Sequence, residues 1–241
     1  MSTGLPSVIF EAIRNDIING VYPIGNKLPP ERELAAKHNA GRFAVREAIA
    51  MLAQNGFVET QPQSGTYVRD FYRDGSLDTL VQTLHVRRVI DRQTLDSLLS
   101  FRFTTESSAA AEAVPRISPA DLSYLADNLK KKKDNLDNVA ALSECDYDFH
   151  FKVINVSGNV INRLIFQSFR PIYSFFTEFF YSLPQAAERS LDLNLKLLEA
   201  FKKGDPDLAR RAMEIILRFG EQKVYEAIDD NEDLIVIRQR Q

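Results

Sequence analysis

Residues 29–69 read PPERELAAKHNAGRFAVREAIAMLAQNGFVETQPQSGTYVR, and the order of signals in this stretch decides the fold of the first part of the chain. Pro29 and Pro30 followed by Glu31, Arg32 and Glu33 open a short helix, because proline suits the first turn and acidic side chains favour its positive end. Leu34 and Ala35 turn inward from it. Asn39, Ala40 and Gly41 form a tight turn, and a third helix runs from about Arg42 to Asn55 and stops at Gly56. At about 100° per residue, Val45, Ala48, Ile49 and Leu52 share one face and Arg42, Arg46, Ala50 and Gln54 another. The first set packs and the second faces out. The period then falls to two: Phe57–Gln61 is a strand, Pro62–Gly65 a turn, and Thr66–Arg69 is β-prone again.

Working outward, Val8, Ile9, Ala12, Ile13 and Ile17 give an apolar helical stripe that ends at Gly20. Three helices plus a hairpin over residues 1–70 make a winged helix-turn-helix. The composition changes at DFYRDGS, and residues 71–76 read as a linker. Beyond it every strong periodicity is helical, and the expected fold class is mainly α, with an all-α bundle over 77–231 and a tail over 232–241. Ser118, Pro119 and Asp121 start one helix; Gly204 ends another, and Asp205 and Pro206 start the next. Between them lie Asn138–Val156 and Asn159–Leu183, the latter carrying Leu164, Ile165, Phe169, Tyr173, Phe176 and Phe180. About six or seven helices are expected there. The run Lys130–Lys133 reads as a solvated helix face.

Of the 241 residues, 44% are hydrophobic and 26% charged, which excludes disorder and a fibrous repeat and allows a sizeable core. A single cysteine, Cys145, excludes an intrachain disulfide framework and a multi-cysteine zinc module. The N-terminal residues lack signal-peptide character and no run approaches the roughly 18 apolar residues of a membrane span, so a soluble, cytoplasmic protein with no membrane partner is expected. Lys and Arg number 30 against 33 Asp and Glu. Residues 1–70 hold seven of each sign, so any affinity of this segment for DNA must come from the placement of charge rather than its sum.

Two arginines one turn apart at the start of an exposed recognition helix suit the major groove, where a guanidinium forks onto guanine or clamps a phosphate. Residues 19–35, NGVYPIGNKLPPERELA, resemble the signature of GntR-type bacterial transcription regulators, and Val45, Arg46, Glu47, Ala48, Ile49, Leu52, Gly56, Phe57 and the wing Gly65, Thr66, Tyr67, Val68 continue in the same register. The resemblance implies that Arg32, Arg42 and Arg46 contact an operator and that Gly65 approaches the minor groove. Lys27 and Gln63 are further candidates for backbone contact. Where the family carries small hydroxyl residues around the first recognition-helix arginine, this chain has Gly41, Phe43 and Ala44, which weakens phosphate contact or alters operator preference. Glu47 would repel phosphate and is given a structural role.

The second part resembles the helical effector domain of the FadR-like subgroup, on Phe101, Arg102, Glu106 and Ala109–Ala111, on Asp146, Phe149, His150, Ser157, Gly158 and Asn159, and on Gly204, Asp205, Ala209, Ala212 and Met213. Asp146 and His150 share a helical face one turn apart, a workable pair of metal ligands, although such a spacing is more often a surface pair or a hydrogen-bonded core histidine. In the subgroup two more histidines complete a divalent-metal site; here those positions are Asn194 and Ile216. The expectation is a metal site lost or kept only as a weak one, with no certain cofactor and effector recognition moved toward an apolar pocket. The stripe Phe166, Phe169, Tyr173, Phe175, Phe176, Phe179 and Phe180 lines such a pocket or packs as core or dimer interface. Arg102 is a candidate anchor for an effector carboxylate, with a buried ion pair to Glu106 or Asp146 as the alternative. The candidate effector set is Arg102, Asp146, His150, Asn194 and Tyr173.

Together these readings describe a homodimeric, non-enzymatic regulator, a repressor, that binds double-stranded operator DNA and responds to a small carboxylate-containing or lipid-like effector. A DNA-tethered metal-dependent enzyme using Asp146 and His150, and a ligand-independent architectural DNA binder, are the competing readings.

Overall fold

The structure is a computed structural model that describes residues 4–87, 89–228 and 234–236. The chain forms two compact units, Met1–Arg87 and Arg88–Gln241.

In the first unit, α1 (Leu5–Ile18), α2 (Glu31–Lys37) and α3 (Arg42–Gln54) precede the hairpin β1 (Val58–Gln61) and β2 (Gly65–Val68). The strands pair antiparallel with Val58 opposite Val68 and Gln61 opposite Gly65. Ile9, Ile13 and Ile17 of α1, Leu34 of α2, and Val45, Ala48 and Leu52 of α3 close over Phe57 and Val68, so the expected inward stripes form one core. Arg42, Arg46, Ala50 and Gln54 are exposed.

The division between the units falls after Arg87 rather than at 71–76. Phe71 is buried in the first core, and α4 (Leu77–Arg87) packs on α1. The Thr79 hydroxyl donates to the Asn55 carbonyl at the end of α3 (2.9 Å), Gln82 donates to the Asn55 side chain (2.9 Å), and Arg14 of α1 donates to Gln82 (3.3 Å). Satisfying the orphan carbonyls at the end of α3 ties this helix to the head.

The second unit contains seven helices among the described residues: α5 (Arg92–Ala113), α6 (Pro119–Lys133), α7 (Val139–Ser157), α8 (Val160–Ser168), α9 (Arg170–Tyr181), α10 (Ala186–Lys203) and α11 (Pro206–Glu226). A short β3 (Val89–Asp91) pairs antiparallel with β4 (Leu234–Val236), a feature that helical periodicity does not signal. Of the expected tail 232–241, only residues 234–236 lie within the described residues. The stretch 159–183 is two helices, because Pro171 lacks an N–H and its ring would meet the carbonyl one turn back, so it is accepted only in the first turn of a new helix. Ser118 and Asp121 form a reciprocal capping box at α6, Asp205 caps α11, and Gly158 and Gly204 end their helices with φ of 84° and 68°. Leu125, Leu129, Phe149, Leu197, Phe201 and Met213 centre the core. No helix among the described residues is long and apolar enough to cross a membrane.

Two outcomes follow from this packing. Leu52→Ala, which empties a fully buried site between α1 and α3, is expected to destabilise the first unit by about 2–5 kcal/mol, whereas exposed Gln54→Ala should stay within about 0.5 kcal/mol; urea unfolding compares them. Asp121 accepts from Lys152 (2.6 Å) and from Ser118, and these bonds pull its carboxyl from the ordinary 3.8 to about 2. A depressed folded value adds stability above 3.8 that is lost as pH falls toward 2. The Tm difference between wild type and Asp121→Asn should therefore be constant above about pH 5 and shrink below about pH 4.

Candidate nucleic-acid interface and effector site

The exposed face of the first unit brings the expected arginines together on adjacent elements. Arg42 opens α3 and Arg46 lies one turn on, its side chain 70% exposed; Arg32 is exposed on α2. Arg46 Nε and Nη2 donate to the two carboxylate oxygens of Glu31 on α2 (3.1 and 2.8 Å), which pulls the Glu31 carboxyl down. Glu31, which the sequence suggests only as a favourable first-turn acid, thus sets the direction of the Arg46 fork. Glu47 is exposed and makes no ion pair among the described residues, so the carboxylate that pairs an arginine of α3 is Glu31. Phe43, beside Arg42, is 74% exposed, the most exposed large apolar side chain among the described residues.

At the wing, Gln63 sits at the exposed turn with φ 61°, and Gly65 has φ 136°. A Cβ at Gly65 would lie 2.2 Å from Lys27 Cε, so the lysine stem crosses directly over this glycine. Lys27 also bridges Tyr67 of β2. Arg32, Arg42, Arg46, Lys27, Gln63 and Gly65 therefore sit on or flank the recognition helix and wing.

In the second unit a buried polar cluster is assembled from five helices. Asp146 of α7 is its centre: Oδ1 accepts from Lys132 Nζ of α6 (3.0 Å) and from the Tyr181 hydroxyl of α9 (2.5 Å), and Oδ2 from the Tyr173 hydroxyl (2.8 Å). Lys132 is 0% exposed and also donates to Ser190 Oγ of α10 (2.9 Å). Its place corrects the expectation that the run 130–133 is solvated throughout: Lys130, Lys131 and Lys133 are exposed, and Lys132 is core. Glu106 of α5 accepts from Arg102 Nε (2.6 Å) and is bonded to His150 Nδ1. Arg102 Nη2 donates to Tyr173 (3.2 Å), and the guanidinium lies 4.5 Å from the centre of that ring.

Burial alone would raise the Asp146 carboxyl, but Lys132 and His150 and the two tyrosine hydroxyls hold it well below the ordinary carboxylate range. Glu106 follows the same pattern, burial being outweighed by Arg102 and His150. Burial pushes Tyr173 and Tyr181 well above 10, so both remain hydrogen-bond donors. The ion pair of Arg102 with Glu106, foreseen as the alternative to an anchor, is present. Even so, the side chain is 20% exposed and Nη1 has no hydrogen-bond partner among the described residues. One donor of the fork is open.

Arg102 lines a cavity of about 80 Å³, several times the roughly 10–15 Å³ that one water needs. Arg102, Asp146, His150 and Tyr173 form its polar end, and Leu95, Leu98, Leu99, Phe176, Leu217 and Val224 belong to its apolar wall. From the aromatic stripe, Phe166, Phe169, Tyr173, Phe176 and Phe180 reach the wall; Phe175 and Phe179 do not. Asn194 is not among the lining residues. It is fully buried and neither its Oδ1 nor its Nδ2 is hydrogen-bonded.

The cluster does not fit a divalent metal. Asp146 already carries three donors, one of them the Lys132 ammonium, and His150 is the single histidine of the cluster, so at most one imidazole nitrogen, Nε2 at 3.9 Å from Asp146 Oδ2, could join it. Asn194 is a weak ligand for zinc-like ions, and Ile216 offers only hydrocarbon to the cavity. A buried ammonium on the same carboxylate repels a second cation. Among the described residues no group of three or more His, Cys, Asp or Glu is placed to hold an ion. Lys132, Tyr181 and Ser190 are the members of the cluster that sequence reasoning does not single out.

Comparison with known proteins agrees with this geometry. Residues 5–68 match the model of bacterial regulatory proteins of the gntR family, and residues 97–219 match the FCD domain. The chain is 32% identical to the HTH-type transcriptional regulator Mce2R of Mycobacterium tuberculosis, over 88% of each chain. It is 28% identical to a fatty acid metabolism regulator protein of Klebsiella pneumoniae, over 87% of this chain and 85% of the other. Among solved structures, that of Lar, described as controlling expression of the Listeria monocytogenes agr system, superposes with a TM-score of 0.66 at 18% identity, covering 94% of this chain and 99% of that one. A winged head followed by a helical domain, matched along most of the chain, places this protein in the GntR family, as an FCD-type DNA-binding transcriptional regulator with a metabolite-binding C-terminal domain.

Proposed function

We propose that the chain acts as a homodimeric repressor whose two heads occupy half-sites of a near-palindromic operator and leave it when an amphipathic carboxylate fills the cavity of the helical domain. The dimer follows from recognition: one head reads too few base pairs for useful specificity, and a two-fold protein suits a two-fold site. Arg42 and Arg46 read base edges or clamp phosphates from α3, Arg32 adds a contact from α2, and Lys27, Gln63 and Gly65 act at the wing.

The observation that carries the effector reading is the cavity itself, with an apolar wall and one open guanidinium edge at its polar end. A hydrocarbon body fits the wall, and a carboxylate accepts from Arg102 Nη1 and stays beside the Tyr173 hydroxyl. The resemblance to a regulator named for fatty acid metabolism supports a ligand of this class. The same cavity argues against a purely architectural DNA binder. Because the relatives are named as regulators, a bound metabolite is expected to be recovered unchanged from the complex; its turnover would favour the enzymatic reading.

With an operator selected from random duplexes, Arg42→Ala and Arg46→Ala should each lose about 1–3 kcal/mol of affinity by fluorescence anisotropy, with no comparable loss in Tm. Wild-type affinity should fall steadily as salt rises. Undiminished binding by both variants, or salt-independent binding, would contradict the assigned contacts. For the effector, a panel of straight-chain fatty acids and short hydroxy acids is titrated into the protein–operator complex. Arg102→Ala should need at least about tenfold more of the active acid for release, and Leu99→Trp, which fills the wall, should respond to none. An unchanged response in folded Arg102→Ala refutes the anchor.

A further inference from the structure

We infer that Lys132 is the resident cation of the helical domain: its ammonium occupies the coordination space of Asp146, joins four helices there, and makes the domain independent of divalent metal. This inference does not depend on which effector binds or on how the operator is read.

The placement of Lys132 is built into α6. Leu125, Asn128, Leu129 and Lys132 follow the spacing 0, 3, 4, 7 and are all buried, so the lysine belongs to the inward stripe while its three neighbours in the run face water. An ammonium has three protons to satisfy. Two donate to Asp146 Oδ1 and Ser190 Oγ, and the charge lies 5.1 Å from the centre of the Tyr181 ring, a favourable cation–π approach. The group thereby links α6, α7, α9 and α10. A buried lysine is tolerated only when paired, and a buried aspartate has the same need, so each makes the other acceptable.

The strongest feature in favour of an inserted ion is Asn194, whose amide oxygen and nitrogen are both buried without partners. An amide in that state needs a donor and an acceptor, which one neutral molecule such as water supplies; it does not need a second positive charge beside Lys132. Oδ1 of Asp146 already holds the Lys132 ammonium and the Tyr181 hydroxyl, so an ion could approach only Oδ2, beside the Tyr173 hydroxyl and on the same carboxylate as a buried positive charge.

The test uses tag-free full-length protein, dialysed separately against Zn²⁺, Mn²⁺ and Ni²⁺, then exchanged into metal-free buffer for native mass spectrometry and thermal unfolding. The expected result is a chain without stoichiometric metal and a Tm unaffected by any of the three ions. Lys132→Met should lower Tm by about 10 °C, and adding Asp146→Asn to that variant should recover a large part of the loss, because the second change removes the stranded carboxylate. One tightly held ion per chain that disappears in His150→Ala would overturn the inference, as would a Lys132→Met protein with wild-type Tm. Should Lys132→Met fail to fold while the double variant folds, the pairing is supported equally, and the metal measurement on wild type stands without either variant.

Discussion

A charge can be buried in a helical bundle only if an opposite charge or a full set of hydrogen bonds meets it there, and the interior around Asp146 is arranged to satisfy that condition. Two carboxylates, Asp146 and Glu106, face two permanent cations in Lys132 and Arg102, with His150 between the carboxylates and two tyrosine hydroxyls completing the bonds. The participants come from α5, α6, α7, α9 and α10, so the positions of these helices are coupled through one balanced group. The consequence for ligand binding is a division of labour. The polar side chains are largely engaged with one another, while aromatic and aliphatic side chains make up most of the lining.

Much of the head is legible in the sequence, because each of its elements has a local cause. Pro29 and Pro30 start α2, Gly41 precedes α3, Gly56 follows it, and period-two residues flank the turn of the wing. The effector domain is legible in its helices and less so in its centre. Lys132 shows why. A run of four lysines reads as a solvated face, yet four consecutive helical residues sweep about 300°, so one of them points inward on an amphipathic helix. The register of Leu125 and Leu129 selects Lys132, a signal present in the sequence and outweighed by the charge of the run. Pro171, likewise, carried enough information to divide 159–183. The pairing of Val89–Asp91 with Leu234–Val236 did not, since three-residue strands far apart in the chain leave no periodicity to read. The same holds for α4, whose helical character is plain but whose allegiance to the head depends on hydrogen bonds to Asn55 and Arg14.

The recognition surface shows how a near-neutral head can still be directed at DNA. Seven cations and seven anions over residues 1–70 leave no net attraction, so the effective charge must come from which anions are occupied. Asp16 is engaged by Lys37 away from α3, and Glu31 is engaged by Arg46. The Glu31–Arg46 pair is solvent-exposed and therefore contributes little to stability. It engages Nε and Nη2 of the arginine and leaves Nη1 outside the pair. Phe43 adds an exposed apolar group on the same helix, beside Arg42.

An effector can shift a regulator between states only by the difference in its affinity for them, so the helices that touch it must be those that differ. Helix α5 has the right composition for this. Its first three turns give Leu95, Leu98, Leu99 and Arg102 to the cavity lining, so apolar wall and charged group lie on the same stretch of one helix. It is also the first helix after the boundary at Arg87, the one the chain enters on leaving the DNA-binding unit. Arg102 is held by Glu106 on the same helix, one turn away, and Glu106 in turn is bonded to His150 of α7, so the charge at Arg102 is tied to α5 and α7 together. One helix thus carries both the charged group at Arg102 and part of the apolar wall, so any change in what the cavity holds bears on α5 directly.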